Sequence, residues 1–246
     1  HTSDVLIGST PLWFGGEFLK NFTTVLTQGL KAAGGIPVWV MMANSLVMAL
    51  GIAIGKIAIS ITAAYAIVYF RFPGRELCFV LIFITLMMPV EVRIVPTFQV
   101  AANLNFIDSY LGLVLPLIAS ATATFLYRQM FMTIPAELLE AARIDGAGPW
   151  RFFVDVVLPL SRTNTAALFV VLFIYGWNQY LWPLLVTNQE SMYTIVMGIQ
   201  RMVNIPDAVP EWNLIMAVAL LGMLPPLLVV LGMQKLFVRG LVETEK

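Results

Sequence analysis

The chain has 246 residues, 14 Lys and Arg balanced by 14 Asp and Glu, and a mean hydropathy of +0.86. Hydrophobic residues make up 59% and charged ones 11%, against roughly 25% charge in an ordinary soluble domain. One core of this size cannot hide so much apolar surface, so the composition excludes both a soluble globule and a disordered chain and leaves a chain that crosses a bilayer several times.

Residues 1–36 carry Phe18, Phe22, Val25 and Leu26 at helical spacing between polar residues, which predicts a short amphipathic helix that packs on its neighbours. Five stretches with few or no charges come next: Pro37–Phe70 with Lys56, Leu77–Phe98 with Glu91 and Arg93, Ser109–Tyr127, Thr163–Gln189 and Trp212–Gln234. Each is long enough to span as a helix, and open sheets cannot span because their edges stay unsatisfied in lipid. The first is longer than one crossing needs and is expected to tilt or to extend past the surface. The fold class is therefore all-α, a polytopic transmembrane bundle.

Basic residues orient the spans. With the Arg71–Arg75 turn inside, Arg71, Arg75, Arg128, Arg143, Arg151, Arg162, Lys235, Arg239 and Lys246 fall inside, and Lys20, Lys31 and Arg201 outside. Residues 1–36 are then an extracytoplasmic segment, 37–246 the membrane domain, and 129–162 a cytoplasmic loop. The first residue is His1 rather than Met, and the N-terminal end falls outside. Together these lead to the expectation of a further span upstream.

Whole classes of chemistry lack material. Cys78 is the only cysteine and His1 the only histidine, so the sequence offers no metal site, catalytic triad or histidine proton relay, and no catalytic residue is assigned. A zero net charge without a Lys/Arg run argues against nucleic acid. No G-x-x-x-x-G-K-[ST] loop is present, so ATP has to be bound by another chain if transport consumes it.

The 129–162 loop has a legible local structure. Pro135 suits a first helical turn, and Glu137 and Glu140 lie early, where the helix dipole favours them. Leu138, Leu139 and Ala142 form a small apolar face. Asp145-Gly146 is a stop signal, because glycine tolerates positive φ. Pro149 can start a second short helix and Pro159 can end it. Small Ala141 and Ala142 allow a partner close to the backbone. From these residues alone, a docking site and an ordered loop lying on the membrane stand as alternatives.

The string from Glu140 to Leu160, EAARIDGAGPWRFFVDVVLPL, resembles the EAA loop of ABC importer permeases. The resemblance implies that Glu140, Ala141, Ala142 and Gly146, with Asp145 between them, sit in a coupling helix, followed by an apolar residue and Leu158-Pro159. Val156 stands where that family has Ile, and Thr163 replaces a proline common shortly after the Leu-Pro pair. Asn44-Ser45, Ala64-Tyr65-Ala66 and Phe72-Pro73-Gly74-Arg75 are similar to permeases of the carbohydrate-uptake type. Pro89-Val90-Glu91-Val92-Arg93, the stretch Tyr175 to Leu185 and the tail Arg239 to Lys246 resemble the branch that takes up sn-glycerol-3-phosphate. The resemblance implies a six-helix subunit of a bacterial inner-membrane importer, itself not an enzyme and without a cofactor of its own. Its implied partners are a second permease subunit forming a heterodimer, two ATPase subunits holding ATP and Mg, and an extracytoplasmic substrate-binding protein.

Polar residues within spans are the candidate substrate path, because such groups are costly in lipid and face the bundle interior. Asn178 and Gln179 both donate and accept hydrogen bonds, and Trp177, Tyr180 and Trp182 offer rigid faces with polar tips. Pore lining and interhelical packing remain alternatives for this cluster. Glu91 and Arg93 come after Pro89, where a helix would kink, and at i, i+2 they do not face each other. Arg93 either matches a phosphate bidentately or forms a structural ion pair with another subunit. Lys56 pairs within the bundle or faces water. A neutral sugar or oligosaccharide is the alternative substrate class. A stand-alone secondary transporter or channel is a remoter reading, since it predicts buried carboxylates or inverted repeats.

Overall fold

The computed structural model describes residues 16–29, 34–85, 88, 90–205 and 209–243. Among them the regular elements are all helical. Besides the 3-10 turns Leu115–Leu117 and Glu190–Met192, in chain order they are α1 (Phe18–Thr27), α2 (Val38–Tyr69), α3 (Arg75–Ile84), α4 (Val90–Asn103), α5 (Tyr110–Val114), α6 (Ala121–Met132) and α7 (Ala136–Ile144). Then come α8 (Pro149–Phe152), a π-helical turn (Phe153–Val157), α9 (Leu158–Leu160), α10 (Arg162–Trp177), α11 (Leu181–Val186), α12 (Ile195–Val203) and α13 (Trp212–Glu243).

Two segments, Val38–Tyr69 and Trp212–Gln234, are each long and apolar enough to cross a membrane alone. The 32 residues of α2 extend about 48 Å, well beyond the roughly 30 Å of hydrocarbon, so the expected long first span is present. Two bent pairs raise the number of possible crossings among the described residues to four: Tyr110–Leu117 with Ala121–Met132 at 48°, and Pro149–Leu160 with Arg162–Trp177 at 72°.

The remaining expected spans are interrupted rather than continuous. Over 77–98 the chain forms α3 and α4, with residues 86, 87 and 89 between them outside the described ones, so the expected kink at Pro89 lies outside them too. Over 163–189 the helix stops at Trp177 and resumes at Leu181. Pro183 explains that break. It has no N–H to give the carbonyl of Gln179 four residues earlier, and its ring crowds that carbonyl.

The chain divides into two compact units that do not follow sequence order. The first comprises the chain up to Leu50 with Phe98–Leu113 and Ile174–Val229, and the second Gly51–Thr97, Val114–Phe173 and Val230 onward.

In the first unit the buried side chains of α2 include Val38, Met41, Met48 and Ala49. Helices approach closely where glycine permits. A Cβ on Gly176 would stand 2.9 Å from the Ala49 Cα. Asn44, 2% exposed, donates from Nδ2 to the carbonyls of Ser191 at 2.8 Å and Tyr193 at 3.0 Å. The neighbouring Ser45 Oγ accepts from the N–H of Ile195 at 2.8 Å, at the start of α12. Asp108 holds the segment after α11: its N–H donates to the Val186 carbonyl, and its Oδ1 accepts from the N–H groups of Asn188 and Gln189. In α1, Val25 is fully buried and Phe22 half-buried, and Asn21 Oδ1 accepts from Asn213 Nδ2 at 3.0 Å. The amphipathic stripe therefore packs, as its spacing predicts.

In the second unit, Gly51 meets the Val114 side chain and Gly55 that of Ile118, so bulk at either position would collide. Ser60 Oγ donates to the Ser120 carbonyl at 3.2 Å. Ser120 itself caps α6 through the Ala123 N–H. Arg128 lies 4.1 Å from the Phe79 ring centroid and 3.8 Å from the Glu76 carboxylate. Lys56 is buried, at 7% exposure.

Candidate functional site

The loop singled out in the sequence forms its own short helix. Pro135 precedes α7 rather than occupying its first turn, a shift of one position. Glu137 lies in the first turn and Arg143 in the last, each at the end the helix dipole favours. The stop at Asp145-Gly146 is a complete Schellman motif. Ala147 N–H donates to the Ala142 carbonyl at 2.8 Å, and Gly146 N–H to the Arg143 carbonyl at 3.1 Å. Gly146 has φ +71°, the left-handed conformation that this ending requires and that glycine adopts without penalty.

α7 presents its side chains outward. Glu140 and Ala141 are exposed, Ala142 is half-buried, Leu138 is 40% exposed and Ile144 is 87% exposed. Of the small apolar face read from the sequence, Leu138 is exposed, while Leu139 and Ala142 are half-buried. Trp150, at the start of the next helix, is also exposed. Beyond it Phe152, Phe153 and Val157 turn inward and are buried.

Pro159 does not end that segment. It stands inside the helical run, directly after the π-helical turn, and the run continues one residue past it to Leu160. The chain turns at Ser161 instead, whose Oγ donates to the Val157 carbonyl and whose N–H also bonds there at 3.0 Å. Leu158 and Pro159 are half-buried and line a groove of about 540 Å³ with Arg162 and Phe169.

Two tyrosines on α2 hold the legs of this loop, and neither is marked for that role by the sequence reading. The Tyr65 hydroxyl donates to the Pro149 carbonyl at 2.6 Å, and the Tyr69 hydroxyl lies 3.4 Å from the Phe131 carbonyl at the end of α6. Their rings pack on Phe153 and Phe152, with centroids 4.8 Å and 5.2 Å apart. Their spacing in an apolar helix is the available signal: residues four apart share a face.

The candidate substrate-path residues fall into two groups, one in each unit. Arg93 is exposed on α4 and forms no ion pair among the described residues. The side chain of Glu91 lies outside the described ones. The aromatic and amide cluster lies at the break after α10 and is mixed in character. Trp177 is 2% exposed and donates its indole N–H to the Gly222 carbonyl at 3.0 Å. Trp182 is buried likewise and donates to the Gly112 carbonyl at 3.0 Å. Both indoles are therefore committed to packing. Gln179 is half-buried with its amide on the Tyr175 carbonyl, whereas Asn178 and Tyr180 are exposed. Asn178 and Tyr180 are the exposed residues of the cluster.

Known proteins are similar to this chain in sequence, and a solved structure is similar to it in fold. Residues 56–243 match the model of the family described as binding-protein-dependent transport system inner membrane component. A protein of Agrobacterium fabrum named sn-glycerol-3-phosphate transport system permease protein UgpE is 57% identical over 245 residues, covering 100% of this chain and 87% of that protein. Proteins of the same name from Salmonella choleraesuis, 56% identical over 99% of this chain and 87% of their own, and from Yersinia pestis, 65% identical over 85% and 75%, are similar in turn. The fold resembles a solved chain of a bacterial ABC transporter involved in import of the acidic polysaccharide alginate, with a TM-score of 0.75 at 21% identity over 87% of this chain and 78% of that one.

Proposed function

The chain belongs to the binding-protein-dependent transport system inner membrane components, and from that premise we propose that it is the permease through which an ATP-driven importer moves sn-glycerol-3-phosphate across the bacterial inner membrane. The observation that carries the substrate is the 57% identity, over the whole chain, to a permease named for that compound. The chain itself is a transport subunit, and the energy source is ATP hydrolysed on a partner ATPase.

α7 is the docking element for that ATPase. It is a short, exposed helix with exposed apolar side chains at Leu138 and Ile144, small residues at Ala141 and Ala142, and an end fixed by Gly146. Segment 129–162 accordingly faces the cytoplasm, and residues 1–36 the opposite side. Leu158 and Pro159 line a groove just before the turn at Ser161 that leads into α10. A second permease subunit, two ATPase subunits with ATP and Mg, and an extracytoplasmic binding protein complete the assembly. No cofactor is assigned to this chain. Arg93 is the candidate for the substrate's phosphate because a guanidinium matches two phosphate oxygens at once. Asn178 and Tyr180 are candidates for its hydroxyls. Gln179 stands behind them, Trp177 braces the break, and Glu91 neighbours Arg93 in sequence.

The test is ATPase activity of the purified complex in lipid, with its binding protein and with either sn-glycerol-3-phosphate or a neutral disaccharide. Stimulation by the phosphate ester alone is expected. Stimulation by the disaccharide alone would transfer the assignment to a neutral sugar. Full activity of this chain without any ATPase would overturn the importer reading altogether.

A further inference from the structure

We infer that Tyr65 and Tyr69 form a clamp that ties both legs of the α7 loop to the end of α2, so that displacement of α7 moves the first long span as well. The inference rests on the reading of α7 as the ATPase docking element and names the residues that transmit its motion.

The need for such a clamp arises from the exposure of α7. Its side chains make little contact with the unit, so its position is set by the segments that enter and leave it. The entering leg ends at Met132, next to Phe131, and the leaving leg begins at Pro149. Without a cross-tie, force applied to α7 would pass only along the backbone into α6 and α8. Two neighbouring legs could then hinge independently.

The tyrosines supply the cross-tie. Four residues apart on one helix, they lie one above the other on the same face. Tyr65 bonds the leaving leg at Pro149 with a short 2.6 Å hydrogen bond. Its ring packs on Phe153. Tyr69 touches both legs at once, with its ring centroid 6.1 Å from Phe131 and 5.2 Å from Phe152. The two phenols are themselves 5.1 Å apart between centroids. Phe131, Phe152 and Phe153 are buried, so the contact is packed and not a surface stack. The Tyr69 hydroxyl, at 3.4 Å from the Phe131 carbonyl, adds less than that of Tyr65, because the distance lies beyond the normal O–H···O range.

Tyr65 is therefore a positioning residue for coupling. Tyr65→Phe keeps the ring and removes only the hydroxyl. The Pro149 carbonyl it leaves still accepts from the Phe153 N–H, so no buried carbonyl is orphaned and the complex is expected to assemble. The experiment compares parent, Tyr65→Phe, Tyr69→Phe and Gly146→Trp in the purified, lipid-embedded complex with its binding protein. It reads assembled complex, basal ATPase rate, substrate-stimulated ATPase rate and substrate transported per ATP hydrolysed.

Tyr65→Phe is expected to leave assembly and basal rate unchanged and to lower transport per ATP by about threefold to tenfold, the worth of one hydrogen bond. Tyr69→Phe should fall less. Parent values of transport per ATP in Tyr65→Phe would overturn the clamp. A loss of total transport fully accounted for by less assembled complex would also overturn it, and would make Tyr65 a folding residue. If Gly146→Trp uncouples and Tyr65→Phe does not, the docking role of α7 stands without the clamp. If neither uncouples, both fall.

Discussion

Tyr110 donates its hydroxyl to Asn44 Oδ1 at 2.8 Å, while the amide nitrogen of the same Asn44 holds the carbonyls of Ser191 and Tyr193. One buried amide thus ties α2 to α5 and to the segment before α12. The position requires both a donor and an acceptor on one short side chain. Asn44 makes two donated bonds and one accepted bond there, and among neutral residues of this size only asparagine offers two donors beside an acceptor.

Asn44→Ala strands one hydroxyl and two carbonyls, and is expected to cost about 2–3 kcal/mol of stability. Asn44→Asp should be no better, because an ionised carboxylate cannot donate to the Ser191 and Tyr193 carbonyls. The thermal midpoint of the purified complex measures this. A midpoint equal to the parent's in both variants would show that the network carries no weight.

Gly146 should discriminate between backbone strain and steric clash. No atom lies within 4 Å of the position a Cβ would take there. Within this chain, any penalty thus comes from the left-handed φ, about 1–2 kcal/mol for an ordinary residue. Gly146→Asn should retain most transport, Gly146→Ala less, and β-branched Gly146→Val least. Equal transport in all three would mean that the helix ending is irrelevant to ATPase docking.

Arg93 should separate a substrate role from an assembly role. An unpaired phosphate in a low-dielectric path is costly, and an exposed guanidinium near it lowers that cost. Arg93→Ala is expected to depress glycerol-phosphate uptake per assembled complex about tenfold or more, with Arg93→Lys recovering little, since an ammonium lacks the planar fork. Unchanged normalised uptake would exclude the phosphate role and direct attention to Asn178 and Tyr180.

Orientation is open to a chemical test. The Arg151 side chain is 73% exposed, and its pairing with Asp155 at 3.3 Å is a surface contact of small worth. Arg151→Cys in a Cys78→Ser background should therefore fold normally. It should resist an impermeant thiol reagent in intact cells and react once the membrane is opened. Labelling of intact cells would reverse the orientation.

Sequence patterns are most informative here where the interaction is local. The end of α7 is legible because Asp145-Gly146 closes a helix within six residues. The stripe of α1 is legible because period alone places Val25 inward. The interruption after Trp177 is not, although Pro183 is visible. A 27-residue uncharged stretch between Thr163 and Gln189 suggests an unbroken span, and apolarity does not report the missing N–H. Trp177 and Trp182 resemble substrate-facing groups because indoles carry a polar tip. Their partners are the backbone carbonyls of Gly222 and Gly112, far away in sequence and invisible to any pattern. Tyr65 and Tyr69 escape a sequence reading for the same reason, since their partners at Pro149 and Phe131 are more than 60 residues away.

The π-helical turn at Phe153–Val157 sets the phase of the helix after it. In a plain α-helix, Phe152 and Val157 would point about 140° apart. Both are buried here, at 2% and 0% exposure, because the wider turn absorbs one surplus residue. That surplus lets the aromatic grip on α2 and the inward side of the next helix share a single direction. Deleting one residue from the turn would rotate every later side chain of α9 by about 100° about the helix axis. Leu158 and Pro159 would leave their groove while every residue type in it stayed the same. The length of this segment is thus as much a specification as its composition.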